Sequence, residues 1–272
     1  MADKKLRIMA VGAHPDDCEY CFGGTAAKYL LLGHTVCFVS ATNGNAGHQN
    51  YGREELAAIR AAEARTVAAI SGVSYQILDN DDGSLTADVK TRDHLIAVIR
   101  RFKPDMIFTH RSNDYHTDHR HTGLLVQDAS FLLCVPLVCP GVLCLESMPV
   151  ILSFFDDFKK PTAFEADIAV AIDDAIIQKA RMLDCHKSQF YDWLPWVEHE
   201  ADQLPGTQEE RFHWLEQKIQ ARDAAVAKIC RQQLIRRYGE KCGNAVGYAE
   251  AFEVSEYGKT LTQNEISICF PF

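Results

Sequence analysis

The chain has 272 residues, 47% apolar and 24% charged, which corresponds to one large domain or two small ones at about 150 residues each and excludes disordered, collagenous and coiled-coil classes. Its 28 Lys and Arg stand against 37 Asp and Glu, a net charge of −9, which excludes the basic face that a nucleic-acid-coating protein needs. Of the ten cysteines only Cys18 and Cys21 form a CxxC pair, with no second pair to complete a four-cysteine site, so a structural zinc cluster is not expected, and in a chain long enough to bury a full core the cysteines read as reduced, small apolar residues.

Met1, Ala2, Asp3, Lys4 and Lys5 lead into the apolar run 6–12 (LRIMAVG), which is too short for the apolar region of a secretory signal. No stretch reaches the roughly 18 uninterrupted apolar residues of a membrane span, so a cytoplasmic location is expected. The same run reads as a buried first strand. A helical stretch from about Cys18 to Leu32 follows and is stopped by Gly33. Residues 34–41 (HTVCFVSA) form a second β-rich run, and 42–52 (TNGNAGHQNYG) a polar, glycine-rich loop. Residues 53–71, rich in Ala, Arg, Glu and Leu, predict a strong helix stopped by Gly72. A third strand is expected over 73–78, a helix from about Asp88 to Phe102, a fourth strand over 105–109, and a helix over 119–133.

Strands alternating with helices in this order predict an α/β, Rossmann-like fold, with a mostly parallel sheet and helices on both faces. No GxGxxG follows the first strand, where Gly12-Ala13-His14-Pro15-Asp16-Asp17 stands instead, so a dinucleotide is not expected. In the second half, strands are expected within 142–155 and 166–172, a helix over 173–186, and a loop over 193–206. Thr207-Gln208-Glu209-Glu210 has the form of a capping box and opens a helical pattern running to Tyr238, with Gly239 as its stop. The whole chain reads as a single domain, 1–272, with a C-terminal helical extension.

Two clusters carry chemistry. His14, Asp16 and Asp17 directly follow the first strand, and Asp114, His116, Asp118 and His119 follow the fourth. Open α/β sheets bind ligands at the carboxyl ends of their strands, so neighbouring first and fourth strands would bring the clusters face to face. His14 and Asp17 are three residues apart, as are His116 and His119, a spacing that lets one turn present two side chains to one metal. Imidazole and carboxylate donors suit zinc, and also iron, cobalt or manganese. Asp16 and Asp17 divide naturally into one ligand and one base; a plain helix N-cap is the alternative for the pair.

The AHPDDCE segment (13–19) resembles the signature of the LmbE/PIG-L-like zinc deacetylases, which remove acetyl groups from N-acetylglucosaminyl conjugates. SNDYHTDHR (112–120) resembles the second motif of that family, with Thr117 in place of its usual proline. Residues 56–73, DDGSL (81–85), HKSQ (186–189) and YAEAF (248–252) also resemble family segments. By matched position the resemblance implies His14, Asp17 and His119 as metal ligands, Asp16 as general base, and His116 as oxyanion or leaving-group partner. It further implies Asp118 as the group that orients a histidine, and Arg60 and Asp82 as substrate-binding residues. Zn2+ is the implied cofactor, with another divalent metal such as Fe2+ as the alternative, a small-molecule sugar conjugate the partner, and a homo-oligomer a common state of relatives.

Residues 191–243 match no family segment. The aromatic start of that segment (Tyr191, Trp193, Trp196) would cap the pocket or form an oligomer contact, but a surface helix packed on the sheet is the preferred expectation. His48, His110 and His121 read as structural, Glu19 as a hydrogen-bonding support, Glu63 as helix-face structure, and Asn43 and Gly44 as turn residues. His186 reads as a helix-end histidine whose pocket role follows from the resemblance alone. The rival readings are hydrolysis of another amide or ester, and a non-catalytic sugar- or metal-binding protein.

Overall fold

Strand β1 (Arg7–Gly12) is buried at every position after Arg7, with Ile8 and Ala10 in one apolar core and Met9 and Val11 in another. Side chains alternate across a strand, so a run that is apolar at every position is stable only where both faces are covered. The structure, a computed structural model, describes residues 5–272; Met1–Lys4, whose sequence was read against a secretory signal, lie outside the described residues.

The first half of the chain builds as expected: α1 (Asp17–Leu31), β2 (Thr35–Ser40), α2 (Arg53–Ser71), β3 (Ser74–Ile77), α3 (Val89–Phe102), β4 (Met106–Thr109) and α4 (Thr117–Ser130). Helix α2 stops where Gly72 turns left-handed at φ 87° and its N–H bonds Ala68 O. Helix α3 starts where the Asp88 carboxylate accepts the N–H of Thr91. Strands β5 (Val150–Phe154), β6 (Ile168–Ala171) and β7 (Ala249–Val254) complete a seven-stranded sheet in the order β3-β2-β1-β4-β5-β7-β6. Strands β1 to β5 run parallel to one another, whereas β7 is antiparallel to both β5 and β6. The expected adjacency of the first and fourth strands is observed, with Met9 opposite Ile107.

Three features differ from the expectation. Residues 193–206 are not a loop: a π-helical turn (Gln189–Trp193) runs into α6 (Leu194–Val197), and a 3-10 turn (Ala201–Gln203) follows. After α5 (Ile176–Asp184), the long helical pattern is split at Cys230 into α7 (Gln208–Ile229), opened by the predicted capping box, and α8 (Arg231–Tyr238). These helices and α9 (Glu240–Ala245) are inserted before the last strand and do not trail the domain; α10 (Gln263–Cys269) closes the chain.

Strand β7 escaped sequence reading because Glu250 and Glu253 interrupt its apolar run. Glu250 is buried and satisfied by Lys179 Nζ at 2.9 Å and by the N–H groups of Gly24 and Thr25 at 2.9 and 2.7 Å. Among the described residues no helix is long and apolar enough to cross a membrane. The ten cysteines are free thiols.

Candidate metal and catalytic site

The cluster after β1 is fixed by its own backbone. Asp17, in the first turn of α1, accepts the N–H groups of Ala13 and His14 on Oδ2, at 2.9 and 2.7 Å. Its other oxygen, Oδ1, lies 3.5 Å from His119 Nε2, which arrives from α4. His14 Nδ1 is 3.4 Å from Asp17 Oδ2, and the His14 and His119 rings are 5.2 Å apart. His116 closes the group, with ring centroids 4.6 Å from His14 and 5.2 Å from His119. The three ligand candidates and His116 therefore meet at the ends of β1 and β4.

His110, read from sequence as structural, belongs to this group. It is 4% exposed, places Nε2 3.1 Å from Asp17 Oδ2 and stacks on His119 at 4.0 Å. The signal for it was positional: it is the first residue after β4, as Ala13 and His14 immediately follow β1. His48, in contrast, sits beside Tyr51 with Nε2 3.9 Å from Asp192.

A ring of carboxylates surrounds the histidines. Asp82 Oδ1 and Asp118 Oδ2 lie 3.2 and 3.4 Å from His14 Nε2, and Asp114 Oδ1 lies 3.1 Å from His119 Nδ1. Asp118 also accepts the N–H groups of Gly83 and Leu85, at 2.7 and 3.3 Å. Burial opposes charge on Asp17, yet His119 and His110 hold its carboxyl well below the usual range. Burial likewise pushes Asp82 up, but His14 and the Ala46 N–H outweigh it and bring the carboxyl down to about 2. Conversely, burial disfavours a proton on His14, while Asp118, Asp17 and Asp82 hold its pKa well above the ordinary value. Buried negative charge of this density calls for a cation. Among the described residues, His14, His116 and His119 form one group with ligand atoms within 4.8 Å of one another, and Asp17, His110 and His119 form a second. The donors are nitrogen and carboxylate oxygen, which fits a zinc-like divalent ion.

Asp16 stands apart from this ring. It caps α1, but its side chain makes no capping hydrogen bond. Its Oδ2 instead lies 3.0 Å from Arg60 Nη2. Arg60, 1% exposed on α2, also donates to Pro15 O and lies 3.6 Å from Glu63 Oε2. Glu63 in turn accepts the N–H and Oγ–H of Ser188, at 2.7 and 2.8 Å, while buried His186 and Glu19 pair at 2.7 Å. Burial raises the Asp16 carboxyl against the pull of Arg60. Arg60, expected to bind substrate, is thus seated behind Asp16, and Asp82 is turned toward His14.

A cleft of about 980 Å³ opens above these groups. Its far walls come from the π-helical turn, α6 and α7, with Trp193, Leu194, Trp214 and Ile229 among the lining residues. The segment 191–243 therefore walls the cleft, contrary to the expectation of a helix lying only on the sheet.

Residues 9–130 match the GlcNAc-PI de-N-acetylase (PIG-L) family profile. A diacetylchitobiose deacetylase of Thermococcus kodakarensis is 29% identical over 200 residues, covering 70% of this chain and 73% of that protein. Among solved structures, the N,N'-diacetylchitobiose deacetylase of Pyrococcus horikoshii superposes with a TM-score of 0.69 at 25% identity, covering 92% of this chain and 84% of the other. A 4-carboxy-2-hydroxymuconate hydratase from Pseudomonas putida shares the fold at TM-score 0.74 and 21% identity, covering 95% of this chain and 99% of the other. The match to the PIG-L family profile falls on β1 through α4, the part of the chain that carries both motifs.

Proposed function

We propose that the protein is a metal-dependent hydrolase that removes the acetyl group from an N-acetylglucosamine-type conjugate, releasing acetate and an amino sugar. The observation that carries this reading is Asp16, uncommitted as a helix cap and braced 3.0 Å from Arg60, beside the His14, Asp17 and His119 cluster in one cleft.

His14, Asp17 and His119 would hold the ion, zinc by its donor set, with Fe2+ as the alternative. When bound, such an ion polarises the acetyl carbonyl and lowers the pKa of a water to about 7. Asp16 takes the proton from the attacking water as its oxygen bonds to the carbonyl carbon. The same proton passes to the departing nitrogen as the C–N bond breaks. His116 accepts the Asp118 N–H on Nδ1 at 3.2 Å, so its neutral ring carries a proton on Nε2. Burial holds its pKa below the ordinary value, which suits a neutral donor to the carbonyl oxygen as charge develops there. Asp118 and Asp82 orient His14, the usual task of a carboxylate behind a ligating imidazole.

Hydration of a polycarboxylate, the chemistry named for the Pseudomonas neighbour, fits this cleft less well. Such a substrate needs unpaired cations, and each Lys or Arg lining the cleft already faces a carboxylate. Arg60 faces Asp16, Arg111 faces Asp156 at 3.2 Å, Arg222 faces Asp223 at 2.7 Å, and Lys218 faces Glu200. The test is metal content together with acetate release from N-acetylglucosamine conjugates, with and without chelator. About one metal per chain and chelator-sensitive release, restored by zinc, is the expected result. Bound metal without acetate from any conjugate would point to another amide or ester, or to a binding protein.

A further inference from the structure

We infer that the sugar carries an apolar aglycone and that the trench between α6 and α7 is its subsite, an assignment that rests on the deacetylase reading and names its substrate class. The first argument is size. Clefts of about 300–1,000 Å³ hold drug-sized ligands, and this one, at about 980 Å³, has room for a sizeable group beyond a single amino sugar. The second is chemistry. On the segments 193–198 and 214–229 the lining includes Trp193, Leu194, Val197, Trp214, Ile219 and Ile229.

The third argument is exposure. Val197 is 44% exposed and Ile229 61%, and Tyr20, Tyr115 and Phe158 also line the cleft as large apolar groups open to solvent. Apolar side chains gathered around the mouth of a cleft mark a surface that a ligand covers. The fourth is charge. The lining cations are each paired, so a phosphate or carboxylate on the aglycone would find no unpaired Lys or Arg among the described lining residues. Finally, the trench walls come from the π-helical turn, α6 and α7, all beyond the family-matched residues 9–130, whereas the reactive groups lie within them. The part of the cleft beyond the family-matched residues is therefore separate from the part that meets the acetyl group, which favours the aglycone over the acyl chain as its occupant.

The experiment compares hexyl and methyl glycosides of N-acetylglucosamine by acetate release and, independently of turnover, by titration calorimetry. Each buried methylene is worth about fourfold, so two of them already favour the hexyl glycoside by about tenfold or more in KM and Kd. In Val197→Asp and Ile229→Asp, checked for folding by melting, the hexyl-to-methyl ratio falls toward one. Equal Kd for the two glycosides in the wild-type protein overturns the subsite. Tighter binding of a carboxylate-bearing glycoside overturns its apolar character, and tighter binding of N-hexanoylglucosamine overturns the aglycone assignment. If no glycoside releases acetate but the hexyl preference in Kd persists, the deacetylase reading fails and the apolar subsite stands.

Discussion

The two oxygens of Asp17 have different surroundings: Oδ2 is held by the backbone of Ala13 and His14, and Oδ1 faces His119. A carboxylate fixed in this way cannot rotate out of the cluster, which suits a ligand. Asp16, one residue earlier, is fixed by a side chain instead. Replacing Arg60 with Met leaves Asp16 and Glu63 without their buried cation; the expected outcome is a stability loss of about 3–5 kcal/mol by denaturant titration, and a kcat loss of about 10²-fold in the folded fraction. Asp118→Asn removes the charge behind His14, and competition with a fluorescent chelator should show metal affinity weakened by about 10–100-fold. At this scale the meeting of the two motifs was legible in the sequence because each directly follows a strand, β1 or β4, at the same end of the sheet. The placement of Arg60 was not, because spacing along α2 does not reveal which carboxylate its guanidinium meets.

Among the elements, those of the first half were legible because period and stop signals agree: an apolar strand, a helix, a glycine, and the next strand. Strand β7 was hidden because its stability comes from a distant partner. Lys179 of α5, fully buried, bridges Glu250 of β7 and Asp223 of α7, at 2.9 and 2.7 Å. Lys179→Ala strands two buried carboxylates, so unfolding should cost about 3–5 kcal/mol less, read as a lower urea midpoint. Helix α4 is held to the loop after β4 by a close approach. A Cβ on Gly123 would stand 2.6 Å from His110 O and 2.9 Å from Arg111 C, and neither backbone atom can yield alone. Gly123→Ala should therefore destabilise by about 1–3 kcal/mol in the same assay, through the element that carries His119.

For the molecule as a whole, the mostly parallel α/β class followed from the sequence, and the pairing of β1 with β4, on which the meeting of the two motifs depended, is what the structure shows. The extent of the cleft did not, since the contact of α6 and α7 with the strand ends depends on tertiary packing that leaves no local pattern. A bound ion that joins β1 to α4 stabilises only the folded chain. Adding zinc at about 100 times its Kd should raise stability by about 2.7 kcal/mol, and melting with and without chelator checks this. The central claim is that Asp16 moves the proton while its neighbours hold the ion, and the most direct test is Asp16→Asn assayed for metal content and acetate release together. The account predicts an unchanged metal stoichiometry with kcat lowered by about 10²–10⁴-fold. Full turnover, or loss of the metal along with activity, would contradict it.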